Sequence, residues 1–349
     1  MKLTDENVTK YDVIITPKLL YKEIQCDNKT KQFVINTRKK IQSIIDGYDN
    51  RKIIIVGPCS IHDPNLALEY AKKLSELQEK VKDKFLLIMR VYFEKPRTSI
   101  GWKGLISDPH LNGSYNINDG LKIARQLLID INNLKIGCAT EFLEPFTPQF
   151  IDDLISYAAI GARTTESPTH RQLASGLSMP VGFKNSTSGD VKIAVNAIKS
   201  ANSNQAFLGM DEYGSVSNVF TKGNKYAHTI LRGGKFPNYK KKDVDDDLEK
   251  HKGVCNKLII DCSHGNSNKD YKNQPEVFEN IINQINNDNN NIIGVMIESN
   301  INEGNQKIPN DLKEFDSKTL KYGVSITDSC LNWETTKNII MDAHNKLNI

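Results

Sequence analysis

The chain has 349 residues, 38% hydrophobic and 25% charged, and its 46 Lys and Arg against 42 Asp and Glu leave a net charge of +4. This length supports a large core in one or two domains, and the charge balance is too mild to imply a nucleic-acid or membrane partner. No apolar run approaches the roughly 20 residues of a membrane span, the N-terminus lacks a signal-peptide core, and six scattered cysteines are too few for a disulfide scaffold, so reduced thiols and a cytoplasmic address are expected.

Residues 1–48 form a mixed arm. Residues 13–15 read as a short strand, and 33–45 as a helix through Val34, Thr37, Ile41, Ile44 and Ile45. The arm is expected to pack on the body of the protein or to make oligomer or regulatory contacts. From residue 49 a strand–helix rhythm begins. The apolar run 53–56 is followed by GPCSIHD, and Asp63 with Pro64 starts a helix through Ala67, Tyr70, Ala71, Leu74 and Leu77. A second strand, 85–89, ends in Arg90. The loop 91–118 is too long, and too rich in Gly and Pro, for a plain connection. Asn118 caps a helix through Leu121, Ala124, Leu127 and Leu128. Strand 135–139 leads to Glu141, and Thr147 with Pro148 opens a helix through Phe150, Ile151, Leu154 and Ile155.

The stretch 160–184 reads as strand, helix, strand. Run 158–162 ends in Arg163, Ser167 and Pro168 open a short helix, Gly176 closes it, and run 179–183 ends in Lys184. Parallel strands joined by a helix put both ends on one side of a sheet, so an arginine and a lysine converge there. A helix covers 189–200. Residues 205–227 break the rhythm with a hairpin of strands 207–210 and 216–221. Strand 228–231 ends in Arg232, 243–252 is a charged helix, and strand 258–261 runs into SHGNSNKD. A helix covers 274–287, strand 292–297 ends in Glu298, and YGVSITDSCLNW precedes a last helix around Ile339, Ile340 and Ala343. Eight strands alternating with helices predict a (β/α)₈ barrel over 49–349, carrying an N-terminal extension and a hairpin inserted at about 205–227. Continuously apolar strands suit a parallel sheet covered by helices. An open doubly wound sheet is the alternative, but no glycine-rich dinucleotide fingerprint follows any strand.

Active sites of such barrels sit at the C-terminal ends of the strands. Those ends carry Cys59, Arg90, Glu141, Arg163, Lys184, Arg232, His264 and Glu298, and the second loop adds Lys95 and Arg97. A lone cation there is usually a paired structural charge. Four at matching positions call for a polyanion, because buried like charges are costly without one, and arginine's fork suits phosphate and carboxylate. Cys59, His264, Glu298 and Asp328 offer one sulfur, one nitrogen and two carboxylates, a set suited to a borderline divalent metal. Singly each has a bland reading as a core or paired residue, and no local metal spacing is present. Together they describe an enzyme that handles phosphorylated acids and uses a metal to polarise a carbonyl, as aldol-type carbon–carbon bond formation requires.

Seven motifs then carry a family resemblance: GPCSIHD at 57–63, RVYFEKPRTSIGWKGL at 90–105, GARTTESPTHRQLASGLSMPVGFKN at 161–185, ILRGG at 230–234, DCSHGNSNKD at 261–270, GVMIESNINEGNQ at 294–306 and YGVSITDSCLNWE at 322–334. They resemble the class I 3-deoxy-arabino-heptulosonate 7-phosphate synthases, which open the shikimate pathway to the aromatic amino acids. The resemblance implies a barrel with an N-terminal extension and inserted hairpin. It implies condensation of phosphoenolpyruvate with erythrose 4-phosphate and water. It also implies one divalent metal ion (Mn²⁺, Fe²⁺, Co²⁺ or Zn²⁺) on Cys59, His264, Glu298 and Asp328. Arg163 and Arg232 would hold the phosphate of phosphoenolpyruvate, and Arg90 and Lys184 would bridge its phosphate and carboxylate. Glu141 would position a water. Lys95, Pro96, Arg97 and Thr98 would meet erythrose 4-phosphate, with Lys95 as proton donor. His264 must be neutral to ligate, so activity is expected to fall in acid.

The related 3-deoxy-manno-octulosonate 8-phosphate synthases, which take arabinose 5-phosphate, are the first alternative, although KPRT, the long loop and the arm favour erythrose 4-phosphate. A non-catalytic phosphate-ligand sensor or scaffold on the same barrel is the second. Family members with such an arm and hairpin are feedback-inhibited by one aromatic amino acid. That pocket maps near Ser178, Phe207, Gly209 and Val219, and Gly209 points to tyrosine. The resemblance further implies a homodimer or homotetramer. A metal-free, partly exposed Cys59 is expected to be open to oxidation, with Cys330 as a possible disulfide partner.

Overall fold

The apolar runs and amphipathic segments become the following elements in the computed structural model, which describes residues 3–97 and 100–349; Thr98 lies outside the described residues. The strands are β1 (Lys52–Gly57), β2 (Phe85–Arg90), β3 (Gly137–Glu141), β4 (Tyr157–Ile160), β5 (Val181–Lys184), β6 (Gln205–Met210), β7 (Val216–Thr221), β8 (Ala227–Leu231), β9 (Leu258–Asp261) and β10 (Ile292–Glu298). The helices are α1 (Pro17–Glu23), α2 (Asn28–Asp46), α3 (Pro64–Val81), α4 (Ile117–Asn133), α5 (Pro148–Ile151), α6 (Pro168–Gly176), α7 (Lys192–Ala201), α8 (Lys241–Lys250), α9 (Gln274–Asn286) and α10 (Trp333–Lys346). Eight strands close a parallel barrel in the order β1-β10-β9-β8-β5-β4-β3-β2, while β6 and β7 form a separate antiparallel hairpin. The chain is thus a (β/α)₈ barrel with a hairpin outside its sheet. No helix among the described residues is long and apolar enough to cross a membrane.

Side-chain alternation along a strand divides the core in two. Ile54, Val56, Leu87 and Met89 face outward and pack under the helices. Ile53, Ile55, Leu86, Ile88, Ala139, Tyr157, Ala159, Ile230, Ile259 and Met296 face inward and fill the barrel. Ile41 and Ile44 of α2 join this inner cluster, so the arm's helix plugs the barrel. Along the same inward parity the strands go on to Cys59, Arg90, Glu141, Gly161, Lys184, Arg232, Asp261 and Glu298. An apolar interior and a charged mouth thus come from one alternation.

Helix α3 follows its sequence signals: Asp63 accepts from Asn65 N and Leu66 N, Pro64 occupies the first turn, and Leu66, Ala67, Tyr70, Ala71, Leu74, Leu77 and Val81 are buried. Several expectations are corrected. Residues 13–15 are not a strand; Asn118 holds them, accepting from Ile15 N at 2.8 Å and donating to Val13 O at 3.0 Å. The cap of α4 is therefore Asn116, whose side chain accepts from Asp119 N. Thr147 makes no cap bond, and α5 is one turn continued as a 3₁₀ segment, Asp152–Leu154. The Ser167 hydroxyl meets His170 Nδ1 at 2.9 Å instead of capping α6. Gly176 is the last residue of α6 rather than a left-handed stop, and a Cβ there would stand 2.9 Å from Thr221 Cγ2 of the hairpin. Its smallness serves packing.

Candidate active site

The mouth is assembled from residues immediately after the strands. Gly57 turns the chain with φ +149°, its Cα facing the Arg90 backbone so closely that a Cβ would stand 3.2 Å from Arg90 N. This turn brings Cys59 into the mouth, wholly buried. Ser60 Oγ and Thr327 Oγ1 lie 2.7 Å apart, joining the β1 loop to the loop of Asp328. Cys59, Glu298 and Asp328 consequently converge, with one donor atom from each within 4.8 Å of the others. His264 stands beside them, its Nε2 3.9 Å from Glu298 Oε1 and its Nδ1 3.0 Å from Asp261 Oδ2. The residue sits at φ +56°, a conformation a non-glycine residue adopts at a cost. Asp261 stands at one ring nitrogen without hydrogen-bond geometry and the other nitrogen faces Glu298, so of the four expected donors three converge and His264 lies beside them.

The donor set fits a divalent ion of borderline softness. Without a cation, burial pushes the Cys59 thiol up to about 12, and Glu298 adds to this while Lys95 opposes it. Lys95 Nζ lies 3.1 Å from Cys59 Sγ. Burial works against the Lys95 ammonium, but Cys59, Asp328, Glu298 and Glu141 hold its pKa above the ordinary lysine value.

Charge pairing holds the rest of the cradle. Arg90, 1% exposed, donates through Nη2 to Glu298 Oε1 at 3.0 Å, and its guanidinium stacks 4.0 Å from the Tyr92 ring centre. Ser263 Oγ donates to the other Glu298 oxygen at 2.8 Å. Gln274 fixes the Glu298 backbone, accepting from its N–H at 2.8 Å and donating to its carbonyl at 3.0 Å. Lys184 Nζ lies 3.3 Å from Asp261 and 3.6 Å from Glu141. Burial would raise both carboxyls, yet His264 and Lys184 keep Asp261 far below the usual range, and Lys184, Lys95 and Arg90 depress Glu141. Arg163 and Arg232 have no carboxylate within ion-pair distance among the described residues. Burial lowers the Arg232 pKa, and Arg163 lowers it further against Asp261.

A cavity of about 720 Å³ opens over this cluster, lined by Arg90, Lys95, Pro96, Arg97, Glu141, Arg163, Lys184, Arg232, His264, Glu298 and Asp328. The structure thus brings together every described candidate read from the strand ends, with Cys59 buried beneath. Arg97 is exposed, and its Nε donates to Trp102 O at 2.9 Å. Ser178, Phe207, Gly209 and Val219 are not here. They line a second cavity of about 790 Å³, bounded by Pro145, Pro148 and Gln149 on one side and the hairpin on the other. The Cys59–Cys330 pairing is not formed: all six cysteines are free, and Cys59 and Cys330 are fully buried, so the expected partial exposure of Cys59 is corrected. Sequence reading missed Asp261, Tyr92, Ser263 and Gln274. Asp261 was visible as the polar end of the inward series of β9; the other three act through contacts with no local pattern.

Comparison with known proteins identifies the family. The model of the DAHP synthetase I family matches residues 24–341. The Tyr-sensitive phospho-2-dehydro-3-deoxyheptonate aldolase of Escherichia coli is 48% identical over 99% of this chain and 96% of its own length. The Trp-sensitive enzyme of Buchnera aphidicola is 50% identical over 95% of each chain. A solved phospho-2-dehydro-3-deoxyheptonate aldolase from Francisella tularensis superposes with a TM-score of 0.93 at 49% identity, covering 98% of both chains. With its family signature, its barrel and its cation-rich cavity in agreement, the chain belongs to the DAHP synthetase I family.

Proposed function

We infer that the chain condenses phosphoenolpyruvate with erythrose 4-phosphate and water, giving 3-deoxy-D-arabino-heptulosonate 7-phosphate and inorganic phosphate. The observation that carries this reading is a single cavity joining Arg163 and Arg232, unpaired among the described residues, to the carboxylates of a thiol–carboxylate group that could hold a metal. Arg163 and Arg232 take the phosphate of phosphoenolpyruvate, and Arg90 and Lys184 bridge its phosphate and carboxylate. Holding two reactants in line removes much of the entropic barrier. Cys59, Glu298 and Asp328, with His264, would hold one divalent ion; when bound, it polarises the aldehyde of the second substrate. Lys95 stands beside Cys59 and is kept charged, so it can deliver a proton to the oxygen that becomes an alkoxide when C3 of phosphoenolpyruvate adds. Glu141, depressed and therefore ionised, orients the water that attacks C2; the resulting hemiketal phosphate expels phosphate. Pro96 and Arg97, with Thr98, receive erythrose 4-phosphate.

The second cavity is read as the site of an aromatic amino acid effector. Relatives named for tyrosine and for tryptophan are about equally similar, so the choice rests on the cavity. Gly209 lines that cavity, and the tyrosine reading rests on this one small residue. The 1–48 arm is read as supplying regulatory and oligomer contacts to a homodimer or homotetramer, in line with exposed Leu208 and Phe220 on the hairpin. Six free cysteines suit a reducing, cytoplasmic setting.

The test strips the protein with a chelator and follows loss of phosphoenolpyruvate with erythrose 4-phosphate, with and without Mn²⁺. Metal-restored consumption, inhibited by tyrosine, is expected. Consumption with arabinose 5-phosphate alone would reassign the second substrate, and no turnover with any metal would leave a ligand sensor.

A further inference from the structure

Glu94 is the buried carboxylate beside the cavity that the reaction above leaves without a role. It is 4% exposed and, among the described residues, no cation stands within ion-pair distance of it. Three donors converge on it instead: Thr147 Oγ1 at 2.8 Å and Glu144 N at 3.3 Å reach Oε1, and Leu143 N at 3.2 Å reaches Oε2. All three lie in the turn that follows Glu141. The opposite flank of the Glu94 segment is pinned as well. Lys95 N donates to Lys103 O at 2.8 Å, and Gly104 approaches so closely that a Cβ would collide with the Phe93 carbonyl. Neighbouring side chains diverge here: Glu94 reaches the β3 loop, while Lys95 reaches across the mouth to Cys59.

We propose that Glu94 is a positioning residue for the reaction, its carboxylate tying the segment of Lys95 to the segment of Glu141 and so fixing the Lys95 ammonium over the cavity. The proposal rests on Lys95 as proton donor. A carboxylate suits the place because every partner is a donor; an amide would turn its own N–H against one of them. Burial, with Glu144 adding to it, pushes the Glu94 carboxyl up to about 7, and the hydrogen bonds from Thr147 and Leu143 offset part of that cost. A carboxyl kept in so costly a place, and mostly ionised only above about pH 7, serves the geometry it enforces, and sub-ångström placement of a proton donor matters more to rate than to folding.

The experiment uses Glu94→Gln, Thr147→Val, Thr147→Ser and Lys95→Met in the full chain loaded with Mn²⁺. Steady-state kinetics are measured in both substrates, with melting temperature and Mn²⁺ affinity by direct titration. Glu94→Gln is expected to lower kcat about ten-fold or more and to raise KM for erythrose 4-phosphate. KM for phosphoenolpyruvate and Mn²⁺ affinity should hold within about two-fold, because the residues responsible issue from strand ends. Thr147→Val, which removes one donor, should lower kcat about three-fold, and Thr147→Ser should restore it. A folded Glu94→Gln protein with a lowered melting temperature but unchanged kcat and KM values would overturn the proposal. If Glu94→Gln does not fold, unchanged kcat in Thr147→Val overturns it instead. Lys95→Met that keeps its kcat would refute the proton-donor reading separately.

Discussion

Asp261 joins the buried cations of the mouth to the proposed metal donors, and Asp261→Asn tests that junction. The side chain is fully buried, 3.3 Å from Lys184 Nζ and 3.0 Å from His264 Nδ1. Asparagine keeps the volume, so packing is untouched and the change removes one charge. Stripping a partner from a buried pair costs about 3–5 kcal/mol because the remaining charge stays buried. Glu141 remains 3.6 Å from Lys184, so the lower end, about 3 kcal/mol, is expected in urea unfolding at neutral pH. His264 loses the group that orients its ring, which should weaken Mn²⁺ binding about 10- to 100-fold by direct titration. The carboxyl is depressed in the folded state, so its stabilisation is complete above the unfolded value near pH 4 and disappears only in stronger acid. The loss should therefore be equal at pH 6 and pH 8. A folded Asp261→Asn protein within about 0.5 kcal/mol of the parent, with Mn²⁺ affinity changed less than about two-fold, would refute the reasoning.

Three further outcomes are expected. Gly161→Ala would push its Cβ into the Glu141 carboxylate, a movable side chain; kcat/KM should fall about ten-fold or more while thermal unfolding hardly moves, and normal kinetics would show that Glu141 need not be held. Ile41→Ala empties part of the barrel plug and should cost about 2–5 kcal/mol in urea unfolding, with kcat at low denaturant unchanged. His228 is buried and accepts from or donates to Tyr157 OH at 2.9 Å, and burial pushes its imidazole down from 6.5 to about 4. The unfolded chain binds that proton first, so stability is full above 6.5 and falls as pH drops toward 4, by about 2 kcal/mol between pH 7 and pH 5. His228→Gln should flatten that slope in paired urea titrations, and an unchanged slope would assign it to other groups.

Legibility varied from element to element for physical reasons. Residues 258–261 were read as a strand with the bounds of β9 because LIID is apolar on both faces, as a strand between helices and barrel interior must be. Phe150, Ile151, Leu154 and Ile155 carry a helical spacing, and a helix does open at Pro148, yet after one turn the chain tightens into a 3₁₀ segment and Thr147 bonds to Glu94 instead of capping. Asn118 carries a capping signal because capping is local, whereas its actual partners Val13 and Ile15 lie over a hundred residues away.

From the sequence alone came the alternation of strand and helix, the family motifs, and the cations and candidate metal donors at the strand ends. Each is a property of short segments, and backbone periodicity turns such segments into elements. Only the tertiary structure decided that Ile41 and Ile44 plug the barrel, that Asp261 lies beside both Lys184 and His264, and that Cys59 is buried rather than partly exposed. Those outcomes depend on which inward-facing residues of distant strands meet when the sheet closes, and closure is set by pairing between segments that no local pattern encodes.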